Sequence, residues 1–141
     1  PIIFHSRDSH KDTLRVLREE RAYEVGGAMH YFQDDLKTAY QTIDLGFYIS
    51  MAKPLLRLPK LQKVAAVLPL EKIVIESDTA PQTFKMSRQK WTEPRHIRDI
   101  AQKIADLQKK SLEEVEHITS QNFLTMIGSR QNTVNKMLRE T

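Results

Sequence analysis

Three side chains in this sequence stand where chemistry could be built: His5, His30 and Asp78. Each follows a short apolar run, Ile2-Ile3-Phe4, Ala28-Met29 or Ile73-Val74-Ile75. Such runs read as buried strands, and the C-terminal ends of parallel strands are where α/β sheets and barrels place their sites. Neutral imidazole and carboxylate are the ligands that suit zinc, manganese or other first-row divalent cations. The separations, 25 and 48 residues, are those that successive βα units produce. A single histidine at a strand end is more often structural than a ligand. The three together weigh evenly between a metal site and separate structural roles. His10, His96 and His117 fall in or at the start of expected helices, and read as surface residues or supports.

Neighbouring residues carry paired readings. Glu76 shares the face of Asp78 by strand alternation, and a hydrogen-bonded structural role stands ahead of catalysis. Arg7 could hold a phosphate or form an ion pair with Asp8, Asp34 or Glu76. Trp91, the only tryptophan, offers a ring for a base to stack on or anchors its loop. Lys85, Arg88 and Lys90 in that loop face a nucleic-acid backbone or are simply solvated.

The elements that must position these residues follow from periodicity. Strands are expected over 1–4, 28–32, 47–50 and 72–76. Helices are expected over 10–21, 33–44 and 60–68, where apolar residues recur at three- and four-residue spacing. Gly46 ends the second helix as a C-terminal glycine should. A polar loop covers 79–92, and Pro94 opens a helix to about residue 109. Ser111 and Glu114 have capping-box spacing and launch a last helix toward Ile127, with Gly128 as its stop. The order β-α-β-α-β-α-β-loop-α-α predicts an α/β fold with a parallel sheet and helices packed outside it. Residues 1–128 are read as one unit and 129–141 as a polar tail or short helix.

Composition narrows the setting. At 141 residues with 40% hydrophobic and 28% charged side chains, the chain suits one soluble domain with a core of its own. No apolar run approaches the ~20 residues of a membrane span, and no signal-peptide pattern opens the chain. Zero cysteines exclude disulfides and thiolate metal sites and suit a reducing, cytoplasmic compartment. A net charge of +4 and a pI of about 9.4 tolerate an anionic partner without demanding one.

Several segments resemble the TatD family of metal-dependent hydrolases. Pro1-Ile2-Ile3-Phe4-His5-Ser6-Arg7 is similar to its P-[apolar]-x-[apolar]-H-x-R segment, and Gly27-Ala28-Met29-His30-Tyr31-Phe32 to the strand that follows. Gly46-Phe47-Tyr48-Ile49-Ser50 resembles G-[aromatic]-Y-I-S/G. Leu68-Pro69 through Glu76-Ser77-Asp78 resembles L-P-x-E-K-[apolar]3-E-T/S-D, the most specific motif of the set. Glu93-Pro94 and Asn122 complete the likeness, in order, from Pro1 to about Gly128.

That resemblance implies the second half of a TIM-type (β/α)8 barrel, with four parallel strands and flanking helices. It implies DNA phosphodiester hydrolysis by a metal-activated water, with His5, His30 and Asp78 as ligands to Mg, Mn or Zn. Asp78 would also be the catalytic base, and Arg7, Trp91 and Lys90 would contact DNA. The chain departs from the family at Gln33-Asp34, at Trp91-Thr92 and in the extra residue of Asp78-Thr79-Ala80-Pro81, and it contains no H-x-H pair. The half by itself is therefore expected to be inactive or weak unless completed by a second copy or by the missing N-terminal half. A second copy would still lack the H-x-H pair, so full two-metal chemistry is not expected of it. A non-catalytic nucleic-acid-binding half-barrel, an inactive fragment, and a hydrolase of another ester or amide are the alternatives.

Overall fold

The computed structural model describes residues 1–79 and 92–130, with 132 and 135–137. Its sheet has four strands, β1 (Ile2–Phe4), β2 (Gly27–Met29), β3 (Phe47–Met51) and β4 (Ile73–Ile75). They lie side by side in sequence order and every pair is parallel. Sequential order without reversal is the pattern of a singly wound barrel wall. A doubly wound sheet would turn back at a switch point.

The register sorts the side chains by face. Ile2 aligns with Gly27 and Phe47, Phe4 with Met29 and Ile49, and Ile49 in turn with Ile73. Met29, Ile49, Met51 and Ile73 from this face are no more than 1% exposed and pack with Ala39, Leu61, Ile100, Ile104 and Val115 from the helices. A second cluster joins Leu14, Ala22, Leu45 and Phe47, with Ile2 and Phe4 against it. Each such side chain contributes about 1.5–3 kcal/mol on burial, so this face binds helices to sheet. The alternate face carries Ile3, Ala28, Tyr48 and Val74, and Ile3 is 57% exposed.

The helices are α1 (His10–Glu19), α2 (Leu36–Asp44), α3 (Pro59–Ala65), α4 (Ile97–Gln108) and α5 (Leu112–Ile127). In α1 only Leu14 is buried, as the sparse apolar stripe implied. The second strand ends at Met29, short of the expected Phe32, because Tyr31 turns the chain with φ +52°. Helix α2 begins at Leu36, later than expected, because Asp35 caps it by accepting from the Thr38 amide at 2.9 Å. The short fourth strand keeps only the core of the 72–76 run. Pro94 opens a 3-10 turn that leads into α4, and His96 closes that turn by accepting from the Glu93 amide at 2.8 Å.

Ser111 caps α5 as expected, accepting from the Glu114 amide at 3.1 Å, while the Glu114 side chain takes Lys110 instead of the reciprocal bond. Asn122, 8% exposed, ties α5 to β4 by donating to the carbonyls of Leu70 at 2.8 Å and Ile73 at 2.7 Å. Among the described residues no helix is long and apolar enough to cross a membrane.

One residue at the start of β2 admits no side chain. Gly27 has φ +144°, and a Cβ there would sit 1.8 Å from the Ile2 carbonyl oxygen, inside the neighbouring strand. Gly27→Ala should therefore break the β1–β2 pairing and cost more than about 2 kcal/mol. Urea unfolding followed by circular dichroism measures this, and a midpoint equal to that of the parent chain would contradict it.

Candidate metal centre

The ladder does not stop where the strands do. The His30 amide donates to the Phe4 carbonyl at 2.7 Å, Phe32 to Ser50 at 3.0 Å and Glu76 to Met51 at 3.0 Å. These bonds carry the strand alternation past each C-terminus. His5, His30, Ser50 and Glu76 thus continue the row of Ile3, Ala28, Tyr48 and Val74, on the face opposite the helix-packed core. One rim gathers polar side chains that are far apart in sequence.

Three of them converge. His30, Glu76 and Asp78 each offer one ligand atom, and these atoms lie within 4.8 Å of one another. The Glu76 carboxylate straddles the His30 ring nitrogen Nδ1, at 2.8 Å from Oε1 and 2.9 Å from Oε2. Ser50, 4% exposed, donates its hydroxyl to the same Oε2. Oε1 is buried without a hydrogen bond. On the other side of the ring, Nε2 faces Asp78 Oδ1 at 3.4 Å. That is long for an N–H···O bond, yet it is the spacing of two ligands each about 2.1 Å from one tetrahedral ion. The donor set therefore fits a divalent cation between Nε2 and Oδ1.

His5 stands beside this cluster, its ring centroid 6.0 Å from that of His30. Its Nδ1 donates to the His30 carbonyl at 3.3 Å, because a carbonyl can only accept. Asp8, Tyr31 and Asp78 all adopt positive φ, from 48° to 56°. Such backbone costs of order 1–3 kcal/mol per residue and gathers at functional sites. Three of the five non-glycine residues with positive φ among the described residues thus lie on this rim, and the other two, Arg21 and Lys109, sit at helix ends.

A cavity of about 840 Å3 opens over the cluster. Arg7 reaches its wall from the loop after β1, which Ser6 braces through its bond to Thr13 at 3.0 Å. None of the ion pairs weighed for Arg7 forms among the described residues. Arg57 and Lys60, from the segment after β3, line it as well. Neither had been singled out in the sequence, since no local pattern marks them and only the fold brings them to this rim. Asp34 binds His10 at 2.9 Å and Lys60 at 3.7 Å, so the negative charge at Gln33-Asp34 is spent on neighbours. Thr92 is buried and accepts from Lys53 at 3.4 Å. Trp91 and Lys90 lie outside the described residues, as do Lys85 and Arg88.

Of the sequence-derived ligands, His30 and Asp78 come together directly and His5 flanks them. Glu76 and Ser50 complete the cluster. Strand parity already put Glu76 on this face, whereas Ser50 carried no signal of its own.

Comparison with known proteins accords with this geometry. Residues 1–128 match the family described as TatD related DNase. The uncharacterized metal-dependent hydrolase YcfH of Escherichia coli (strain K12) is 36% identical over 125 residues, covering 87% of this chain and 47% of that protein. The putative deoxyribonuclease TATDN3 of Mus musculus is 31% identical over 140 residues, 99% of this chain and 46% of that one. The crystal structure of YJJV, a TATD homolog from Escherichia coli k12, superposes with a TM-score of 0.78 at 23% identity, over 89% of this chain and 49% of that one. The chain spans about half the length of the curated relatives it matches.

Tyr31 reports on the charges around the cavity. Burial raises its phenol above the ordinary value of about 10, the Asp78 carboxylate raises it further, and Arg57 draws it back. A raised folded value means stability that is full below pH ~10 and fades as pH climbs through the folded pKa. Asp78→Asn should bring the Tyr31 ionisation down toward its ordinary range, and Arg57→Ala should push it higher. Carbon-13 titration of the tyrosine rings reads both. An unmoved Tyr31 in Asp78→Asn would show that the carboxylate does not face the phenol.

Proposed function

Since the chain belongs to the TatD related DNase family, we propose that it is the C-terminal half of a metal-dependent hydrolase acting on DNA phosphodiester bonds. On this reading residues 1–128 form the half-barrel and 129–141 its tail. The observation that carries the reading is the His30–Asp78 pair, a ring nitrogen and a carboxylate oxygen held 3.4 Å apart under a cavity rimmed by Arg7 and Arg57. Names of relatives support it: one is called a metal-dependent hydrolase and another a putative deoxyribonuclease.

His30 and Asp78, with His5 beside them, would hold the cation. Magnesium, manganese and zinc are all compatible with this donor set. When bound, the metal supplies positive charge to the phosphoryl oxygens and acidifies water. Asp78, 49% exposed, has the reach to take the proton of an attacking water. Arg7 and Arg57 both line the cavity, where planar guanidinium groups suit phosphate oxygens. Together they favour an anionic substrate over a neutral ester or amide.

β1 and β4 have no further strand partner among the described residues. Beside β4, an apolar groove lies between Ile75, Ile97, Ala101, Phe123 and Leu124. Open edges and exposed apolar surface are liabilities for a monomer. Pairing with a second copy or with a complementary N-terminal half relieves them. The lack of cysteine suits a cytoplasmic setting.

The deciding experiment is degradation of end-labelled single-stranded DNA by the purified chain with Mn or Mg. Cleavage should fall at least about 100-fold in Asp78→Ala. In Arg57→Ala the KM should rise about tenfold, as loss of a charged hydrogen bond implies. Activity that survives in Asp78→Ala would remove that residue from the chemistry. Metal binding without any cleavage would sink the claim that this half is an enzyme by itself.

A further inference from the structure

We infer that the Ser50–Glu76 pair is a positioning device that presets His30 as its Nδ1–H tautomer, presenting the Nε2 lone pair to the cavity before any cation arrives. This rests on the reading of the rim as a metal centre, and it assigns Glu76 a place beside the ligands instead of among them.

A carboxylate accepts and does not donate when ionised. Both groups packed on Glu76 face it as donors: the Ser50 hydroxyl at Oε2 and the His30 ring at Nδ1. The proton of a neutral His30 ring is thereby drawn to Nδ1. Nε2 is left as an acceptor, pointed at the Asp78 carboxylate 3.4 Å away. Two acceptors facing each other at that distance repel unless a positive centre lies between them. His5 repeats the device in a different form, its Nδ1 committed to the His30 carbonyl at 3.3 Å.

Rigidity separates the two carboxylates. Ser50 accepts from Phe32 and Glu76 donates to Met51 through their backbones, both at 3.0 Å, so both are pinned in the ladder. The Glu76 side chain is 19% exposed and turned to the ring, while that of Asp78 is 49% exposed and lines the cavity. Groups held this way orient a ligand at no cost when the ion binds.

The test reads the ring itself. Long-range proton–nitrogen correlation on the metal-free, 15N-labelled chain, at a pH where His30 is neutral, distinguishes protonated from bare ring nitrogens. Nδ1 should carry the proton in the parent chain. Glu76→Ala should lose that preference, and Glu76→Gln, which keeps an acceptor, should retain part of it. Ser50→Ala should keep the tautomer with a faster-exchanging Nδ1 proton, and serves if Glu76→Ala does not fold.

Titration with Zn2+ alone should then show affinity reduced about 10–100-fold in Glu76→Ala and abolished in Asp78→Ala. A proton on Nε2 in the parent chain, or an unchanged tautomer in Glu76→Ala, overturns the inference. So does a Glu76→Ala variant that loses Zn2+ as completely as Asp78→Ala with its ring tautomer intact, which would make Glu76 a ligand. Failure of every form to bind Zn2+ would remove the metal reading, while the tautomer still decides the role of Glu76.

Discussion

Everything at the rim depends on backbone hydrogen bonds that continue the parallel ladder one or two residues past the strands. The amides of His30, Phe32 and Glu76 each find a carbonyl on a neighbouring strand. Because side chains alternate along a strand, that continuation decides which residues face the cavity. A slip of one residue would send His30 and Glu76 into the helix-packed core and bring Met29 and Ile75 out. The buried clusters around Met29, Ile49, Met51 and Ile73 oppose any such slip, so the packing on one face holds the chemistry on the other in place.

The polar rim is costly by itself. Ser50 is almost wholly buried, Glu76 mostly so, and one carboxylate oxygen has no hydrogen bond. Three rim residues, Asp8, Tyr31 and Asp78, add left-handed backbone, as Arg21 and Lys109 do at helix ends. At the rim that cost falls where imidazoles, carboxylates and guanidiniums meet, the kind of place where strain and buried polar groups gather in binding sites. Elsewhere local rules are followed closely, with Asp35 and Ser111 as helix caps and Asn122 satisfying two carbonyls.

Four parallel strands carry a coherent cluster because singly wound parallel sheets are assembled from repeated βα units. Each unit delivers one loop to the same edge. Here the loop after β1 brings His5 and Arg7, the loop after β2 brings His30, the segment after β3 brings Arg57 and Lys60, and the end of β4 brings Glu76 and Asp78. The contributions are additive along the edge, so the cluster of His30, Glu76 and Asp78 draws its members from two of the four units. What four units leave open is the sheet edge on either side.

Much of this was legible in the chain itself. Short apolar runs, glycine and proline punctuation and three- to four-residue periodicity marked the strands and helices. The position of His5, His30 and Asp78 just beyond apolar runs marked the rim, because parallel strands always present their C-termini together. Boundaries moved where a single side chain or dihedral intervened, as at Tyr31 and Asp35, since capping and left-handed turns outweigh periodicity at element ends. Sequence alone thus determined the class of fold, the edge that carries the site and the residue types on it. Only the tertiary structure decided that Ser50 and Glu76 meet His30, that Arg7 forms no ion pair among the described residues, and that Arg57 and Lys60 share its cavity. The physical reason is that local pattern sets which way a chain segment faces, whereas a hydrogen bond between residues tens of positions apart exists only once the register has brought them together.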